Sequence, residues 1–162
     1  MPTRAARYLK ARGIPYRLAE YEHLEKGARF ASEALEFPLE KTIKTLVVDL
    51  GSKGCILVLM PGNARLSRKK LSQMYSAKRA EMADPARAER LTGYKVGGIS
   101  PFATRQPLPA VIEKSLLNYD NVAVNGGKRG VMLIMKPADI LLAAAGITIG
   151  EVAGNDDQEA QS

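Results

Sequence analysis

Lys44 opens the apolar run Thr42-Ile43-Lys44-Thr45-Leu46, and residues 92–101 read Thr-Gly-Tyr-Lys-Val-Gly-Gly-Ile-Ser-Pro. These two places hold most of the chemistry available to this sequence. A lysine at the start of a half-buried strand can bind phosphate or polarise a carbonyl, and burial lowers its pKa. It can equally extend its stem along the strand and leave the ammonium in water. A glycine pair lets another backbone or a ligand come close, so Gly97-Gly98 is either a sheet bulge or a pocket wall that binds through peptide groups.

Elimination narrows the rest. One histidine and one cysteine do not make a zinc site of the usual kinds, and no metal or other cofactor is expected. Cys55 lies in an apolar run, where an inert thiol is expected rather than a nucleophile. His23, within Tyr21-Glu22-His23, has no Gly-x-Ser-x-Gly elbow to serve and reads as a surface or hydrogen-bonding residue. Lysine, carboxylates, hydroxyls and backbone amides remain.

The 162 residues fit one domain, with 46% apolar and 25% charged residues in the ordinary range of globular chains. No run approaches the roughly 20 apolar residues that a membrane helix needs. No secretory signal is read at the N-terminus, and the lone cysteine fits a reducing, cytoplasmic setting. Net charge is +7; residues 154–162 hold three acids and no base, so the rest carries +10. Nine bases fall between Arg65 and Lys95 against three acids. Such a surface attracts phosphate backbones, or serves only as a solvated face. Without tryptophan, a stacking platform for long single strands is not expected; a folded RNA touched at few points fits better, and neither DNA nor membrane is.

The elements that must position these groups follow from pattern and punctuation. Helices are predicted over 3–12, 30–37 and 68–75, the last with Ser67 as N-cap, and over 85–91, where Asp84 caps and Pro85 takes the first position. A final helix opens near Lys136 and ends at Gly146. Strands are predicted over 16–21, 43–50, 55–60, 122–124 and 131–135, with a short apolar run at 110–112. Gly51-Ser-Lys-Gly54 and Asn125–Gly130 read as hairpin connections. The class is α/β: a single domain over 1–153 with a mixed, largely antiparallel sheet and surrounding helices, followed by an acidic tail, 154–162, expected to be disordered.

Taken in order, Tyr21-Glu22-His23, Lys44-Thr45-Leu46-Val47-Val48, Glu81-Met82-Ala83-Asp84-Pro85, residues 91–102 and Gly126-Gly127-Lys128-Arg129-Gly130 resemble the YbaK family. These are free-standing relatives of the prolyl-tRNA synthetase editing domain, and the likeness is close to the Cys-tRNA(Pro) deacylase branch. The resemblance covers about residues 16–144. It implies the family's mixed-sheet fold and a pocket for the aminoacylated 3′-terminal adenosine of a mischarged tRNA. It also implies cleavage of the ester between amino acid and ribose, with a prolyl-tRNA synthetase as a further partner. On this basis Lys44 is the catalytic residue. Tyr21, Phe30, Thr45, Gly97, Gly98, Ile99, Ser100, Pro101, Asn125 and Gly127 bind substrate, and Lys69, Lys70, Lys128 and Arg129 meet tRNA phosphates.

Three departures accompany the resemblance. Asn125 stands where the cysteine-specific branch usually has serine, Ala103 where the family commonly has glycine, and Arg105-Gln106 where a pair of lysines is common. If that glycine has positive φ, Ala103 costs about 1 kcal/mol or the loop differs. The loop Glu25-Lys26-Gly27 is also unusual. Besides Cys-tRNA(Pro), the alternatives are a deacylase for another small amino acid, Ala or Ser, and a non-catalytic module that binds tRNA or a synthetase.

Overall fold

The computed structural model describes residues 2–144 and 146–156. Helix α1, Arg4–Ala11, begins where the Thr3 hydroxyl accepts from the Ala6 amide. Strand β1, Arg17–Glu20, follows, then α2, Ala28–Leu35. The hairpin β2, Ile43–Asp49, and β3, Cys55–Pro61, is antiparallel throughout, with Lys44 opposite Met60. Helix α3, Arg68–Met74, is capped by Ser67, and α4, Pro85–Thr92, by Asp84, as the sequence predicts. Between them lies a two-residue strand, β4, Glu81–Met82. Then come β5, Ala110–Glu113, β6, Val122–Asn125, β7, Val131–Met135, α5, Pro137–Ala143, and β8, Thr148–Gly150.

The larger sheet runs β4-β2-β3-β5-β8, antiparallel across β4-β2-β3 and parallel across β3-β5-β8; the smaller, β1-β7-β6, is antiparallel. The expected mixed α/β class is therefore found. A parallel bridge from Thr42 to Ala123 joins the two sheets at the foot of β2, next to Lys44.

Period-2 alternation explains the packing. Leu57 and Leu59 of β3 enter one cluster with Leu9, Val47, Val124, Leu133 and Ile140. Ile56, Val58 and Met60 enter another with Val48, Leu71 and Val152. Both faces of β3 are covered, so its sequence is apolar without interruption. A third cluster seats Ala31 of α2 on Ala123, Met132 and Ile134 of the smaller sheet.

Several boundaries differ from expectation. Helix α2 begins at Ala28 rather than Phe30, because Gly27 at φ 106° turns the chain into it. It stops at Leu35, where Glu36 adopts the left-handed conformation ahead of Pro38. Helix α5 ends at Ala143, short of Gly146. The tail expectation falls mainly on residues 157–162, outside the described residues. Residues 154–156 are held in place: the Gly154 amide donates to the Arg65 carbonyl at 2.9 Å. The Asp156 carboxylate accepts from the Ser67 hydroxyl at 2.6 Å and the Lys69 amide at 3.1 Å. Among the described residues, no helix is long and apolar enough to cross a membrane.

Candidate active site

A cavity of about 360 Å³ opens where the first half of β2, the segment leading into α2, the start of α4, the glycine loop and β6 converge. Its walls are largely apolar, with Ala31, Ile43, Val47, Ala88, Val96, Ile99 and Met132 among them. Into this setting the fold brings Tyr21, Lys26, Lys44, Thr45 and Asn125.

Lys44 is half-buried on β2. Burial, with the positive charge of Arg65 nearby, lowers its pKa from the ordinary lysine value. Beside it, the Thr45 hydroxyl oxygen is buried and has no hydrogen-bond partner. A buried hydroxyl left unpaired costs free energy, so this oxygen is free to meet a polar group of an occupant. The Tyr21 amide donates to the Gly130 carbonyl at 2.9 Å, fixing the strand end beside the hairpin tip. Burial pushes the Tyr21 phenol up, a hydrogen bond with the Gly130 backbone acting the other way. The Phe30 ring lies tilted against Tyr21, centroids 6.1 Å apart.

The glycine segment is a loop rather than a strand. Its backbone is held from three sides. The Val96 amide donates to Glu89 Oε2 and the Val96 carbonyl accepts from Arg129 Nε, both at 2.8 Å. The Gly98 amide donates to the Lys95 carbonyl at 2.8 Å. Asn125 Nδ2 donates to the Gly97 carbonyl at 3.2 Å, while its Oδ1 accepts from the Gly127 amide at 2.8 Å. The peptide between Gly97 and Gly98 is thus satisfied at both ends. By contrast, the Gly97 and Ile99 amides make no hydrogen bond among the described residues. Of the three loop residues that line the cavity, Val96, Gly97 and Ile99, these two therefore keep an N–H donor without a partner.

The expected catalytic residue Lys44 lines the cavity, as do Tyr21, Thr45, Gly97, Ile99 and Asn125 of the expected substrate residues; Phe30, Gly98, Ser100, Pro101 and Gly127 do not. Their places explain why. A Cβ on Gly98 would lie 2.8 Å from the Arg129 nitrogen and 2.9 Å from the Lys128 carbonyl carbon, so Gly98 permits contact between two backbones. Ser100 is fully buried, its hydroxyl accepting from the Phe102 amide at 3.3 Å, and Pro101 is buried beside it. A Cβ on Gly127 would strike the Tyr94 ring.

The basic residues divide similarly. Arg87 and Arg79 meet Asp49 at 2.8 and 3.6 Å, and Lys70 Nζ donates to the Ala153 carbonyl at 2.9 Å. Much of the charge between Arg65 and Lys95 therefore serves the fold. Arg129 points inward to Val96, whereas Lys128 is exposed. His23 is exposed, and burial pushes the Cys55 thiol up, which keeps it protonated and unreactive. The sequence reading missed Lys26 as a lining residue; its only signal was the unusual loop in which it sits.

The aminoacyl-tRNA editing domain model matches residues 24–142. EbsC of Enterococcus faecalis, named as a candidate Cys-tRNA(Pro)/Cys-tRNA(Cys) deacylase, is 31% identical over 143 residues, 86% of either chain. The multifunctional Ser/Thr-tRNA deacylase ProXp-y of Escherichia coli K12 is 28% identical over 140 residues, 84% of this chain and 83% of that one. A crystal structure described as a candidate trans-editing enzyme for prolyl-tRNA synthetase superposes with a TM-score of 0.83 at 28% identity, covering 96% of this chain and 100% of the other.

Proposed function

This chain belongs to the aminoacyl-tRNA editing domain family, and we propose that it is a trans-acting deacylase that cleaves the ester of mischarged tRNA, Cys-tRNA(Pro) first among candidates. The observation that carries this reading is the pairing, across one apolar cavity, of a half-buried lysine with a loop holding two unpaired amides.

Ester cleavage passes through a tetrahedral carbon whose oxygen gains negative charge. Donors held ready for that oxygen are worth about 2.7–4 kcal/mol each, because they need no reorganisation as charge develops. The Gly97 and Ile99 amides fill that part, with Lys44 supplying positive charge in a setting where water screens it poorly. No side-chain nucleophile is required. A water or the thiol of a cysteinyl group attacks the carbonyl. The bond to the ribose oxygen then breaks and that oxygen takes up the proton. Attack by the thiol releases a thiolactone; attack by water releases the free amino acid. Positioning against an already activated ester provides the remaining acceleration. A prolyl-tRNA synthetase is the enzyme whose errors would supply the substrate.

A second substrate, Ser-tRNA, is favoured by the Thr45 hydroxyl, which is buried without a partner and can accept from or donate to a seryl hydroxyl. The E. coli relative is named for Ser/Thr-tRNA. The test is single-turnover deacylation of Cys-, Ser- and Ala-tRNA(Pro). Release of amino acid or thiolactone above the buffer rate on any of the three supports a deacylase, and their order assigns the substrate. Buffer rates on all three refute it.

A further inference from the structure

Lys26 is the cation that neither the family resemblance nor the reading of Lys44 accounts for. It sits in the segment between β1 and α2 and lines the cavity, yet the residue is exposed. Its Cγ and Cδ would lie 2.9 and 3.0 Å from a Cβ on Gly97. The stem of Lys26 therefore crosses the space that glycine leaves at residue 97, its methylenes lying over the glycine at the rim. Its ammonium forms no ion pair among the described residues, unlike Arg79 and Arg87, which share Asp49. A lysine lying over the rim and left without a counter-ion is poised for an anion that arrives with the substrate.

The size of the cavity says which anion. About 360 Å³ lies at the small end of pockets that hold a single small molecule, roughly 300–1,000 Å³. It accommodates an aminoacyl group and the sugar or base next to it, not a polynucleotide. The phosphodiester that links the terminal adenosine to the rest of the tRNA must then cross the rim. Lys44 is half-buried and committed to the ester, whereas Lys26 stands on the rim beside the glycine loop.

We infer that Lys26 binds the phosphodiester on the 5′ side of the terminal aminoacylated adenosine, and so sets how deeply the ester enters the cavity. This rests on the deacylase reading above.

The experiment compares wild type, Lys26→Ala and Lys26→Arg on three probes: 3′-O-seryl adenosine, 3′-O-seryl adenosine 5′-monophosphate and Ser-tRNA(Pro), with the cysteinyl set run in parallel. If Lys26 holds the phosphate, Lys26→Ala lowers kcat/KM about tenfold on both phosphate-bearing probes and less than twofold on the nucleoside. The loss lies in KM rather than kcat, and Lys26→Arg restores most of it. Equal losses on nucleoside and nucleotide, or no loss on any probe, overturn the assignment while leaving the deacylase intact. Wild-type protein that cleaves none of the three above the buffer rate in either set removes the deacylase reading, and this inference with it.

Discussion

Asn125 and Gly97, distant in sequence, are joined by one hydrogen bond: Asn125 Nδ2 to the Gly97 carbonyl, 3.2 Å. Because Asn125 Oδ1 accepts from the Gly127 amide, the side chain cannot turn without breaking both contacts. It clamps the β6–β7 hairpin tip to the glycine loop from the cavity wall. Asn125→Ser shortens the reach and frees the Gly97 carbonyl, so the neighbouring amides lose their fixed aim. Deacylation should fall about tenfold, since misplacing one donor forfeits part of its contribution. Stability should fall by about 1 kcal/mol, the net worth of such a bond. Rates and melting curves on one sample decide. A Ser variant as fast as wild type would mean that the loop is aimed by Glu89, Arg129 and Lys95 without Asn125.

Lys44 is charged below its pKa, and burial disfavours that charged form. The folded protein therefore bears a penalty at neutral pH, which fades as pH rises through the lowered value toward the ordinary lysine range. Lys44→Met should lose at least an order of magnitude in deacylation and yet melt no lower than wild type at neutral pH. Its margin should shrink as pH rises. If the ammonium is what assists the reaction, the wild-type rate, corrected for the buffer reaction, should decline as Lys44 loses its proton. A folded Lys44→Met protein with wild-type rates would exclude the role.

Gly98 and Gly97 should respond differently to a methyl group. Expectation from sequence puts Gly98 against the substrate, whereas its α-carbon faces the backbone of Lys128 and Arg129. Backbone cannot swing aside, so Gly98→Ala should cost about 1–3 kcal/mol as an overpacked site and lose activity along with fold. Gly97→Ala meets only the flexible side chains of Lys26 and Arg129, but its φ of 92° is one that alanine rarely adopts. There the expected signature is displacement of Lys26: a raised KM for phosphate-bearing substrates with a smaller loss of stability. Thermal melts paired with KM values separate the two.

The strands and caps were legible because each rests on a local cause: alternation for β2 and β3, Ser67 and Asp84 as hydroxyl and carboxylate caps, Pro85 at the first helical position. Lys44 and Gly97 were legible because their chemistry is unusual for the runs they interrupt. Strands β4 and β8 were not, since two or three partly exposed residues carry no periodicity and are drawn into the sheet by β2 and β5. The split of the glycine pair into one cavity residue and one packing residue depends on the hairpin tip folded against it, which nothing local encodes. Lys26 was missed for the same reason: its partner in space is Gly97.

Ala103 adopts φ 55°, the left-handed conformation that the family's glycine suggested for this place. An alanine there costs about 1 kcal/mol, partly offset by the entropy that a glycine adds to the unfolded chain. Ala103→Gly should therefore stabilise by up to about 0.5 kcal/mol, raising Tm by up to about 2 °C for a chain of this size. Ala103 does not line the cavity, so deacylation should not change. A lower Tm would mean that the alanine methyl makes packing contacts worth more than the strain.

Glu113, at the end of β5, is 5% exposed and ties the C-terminal segment to the body. Its Oε1 accepts from the Val152 amide at 3.1 Å and the Ala153 amide at 3.3 Å; its Oε2 accepts from the Ser115 amide at 2.8 Å and from the Ser115 hydroxyl. Burial alone would raise its pKa, but these donors together hold the carboxyl below the ordinary glutamate value. A carboxylate with a depressed folded pKa stabilises the fold above the unfolded value of 4.5, and that contribution disappears as pH falls through the folded one. Glu113→Gln replaces one acceptor by an NH₂ group that faces N–H donors, leaving buried donors unpaired at a cost of about 2–4 kcal/mol. The variant should melt well below wild type at neutral pH, and the two curves should converge as pH drops below 4.5. Urea midpoints across that range provide the measurement. A gap that stays constant with pH would mean that the carboxylate holds the segment by shape rather than by charge.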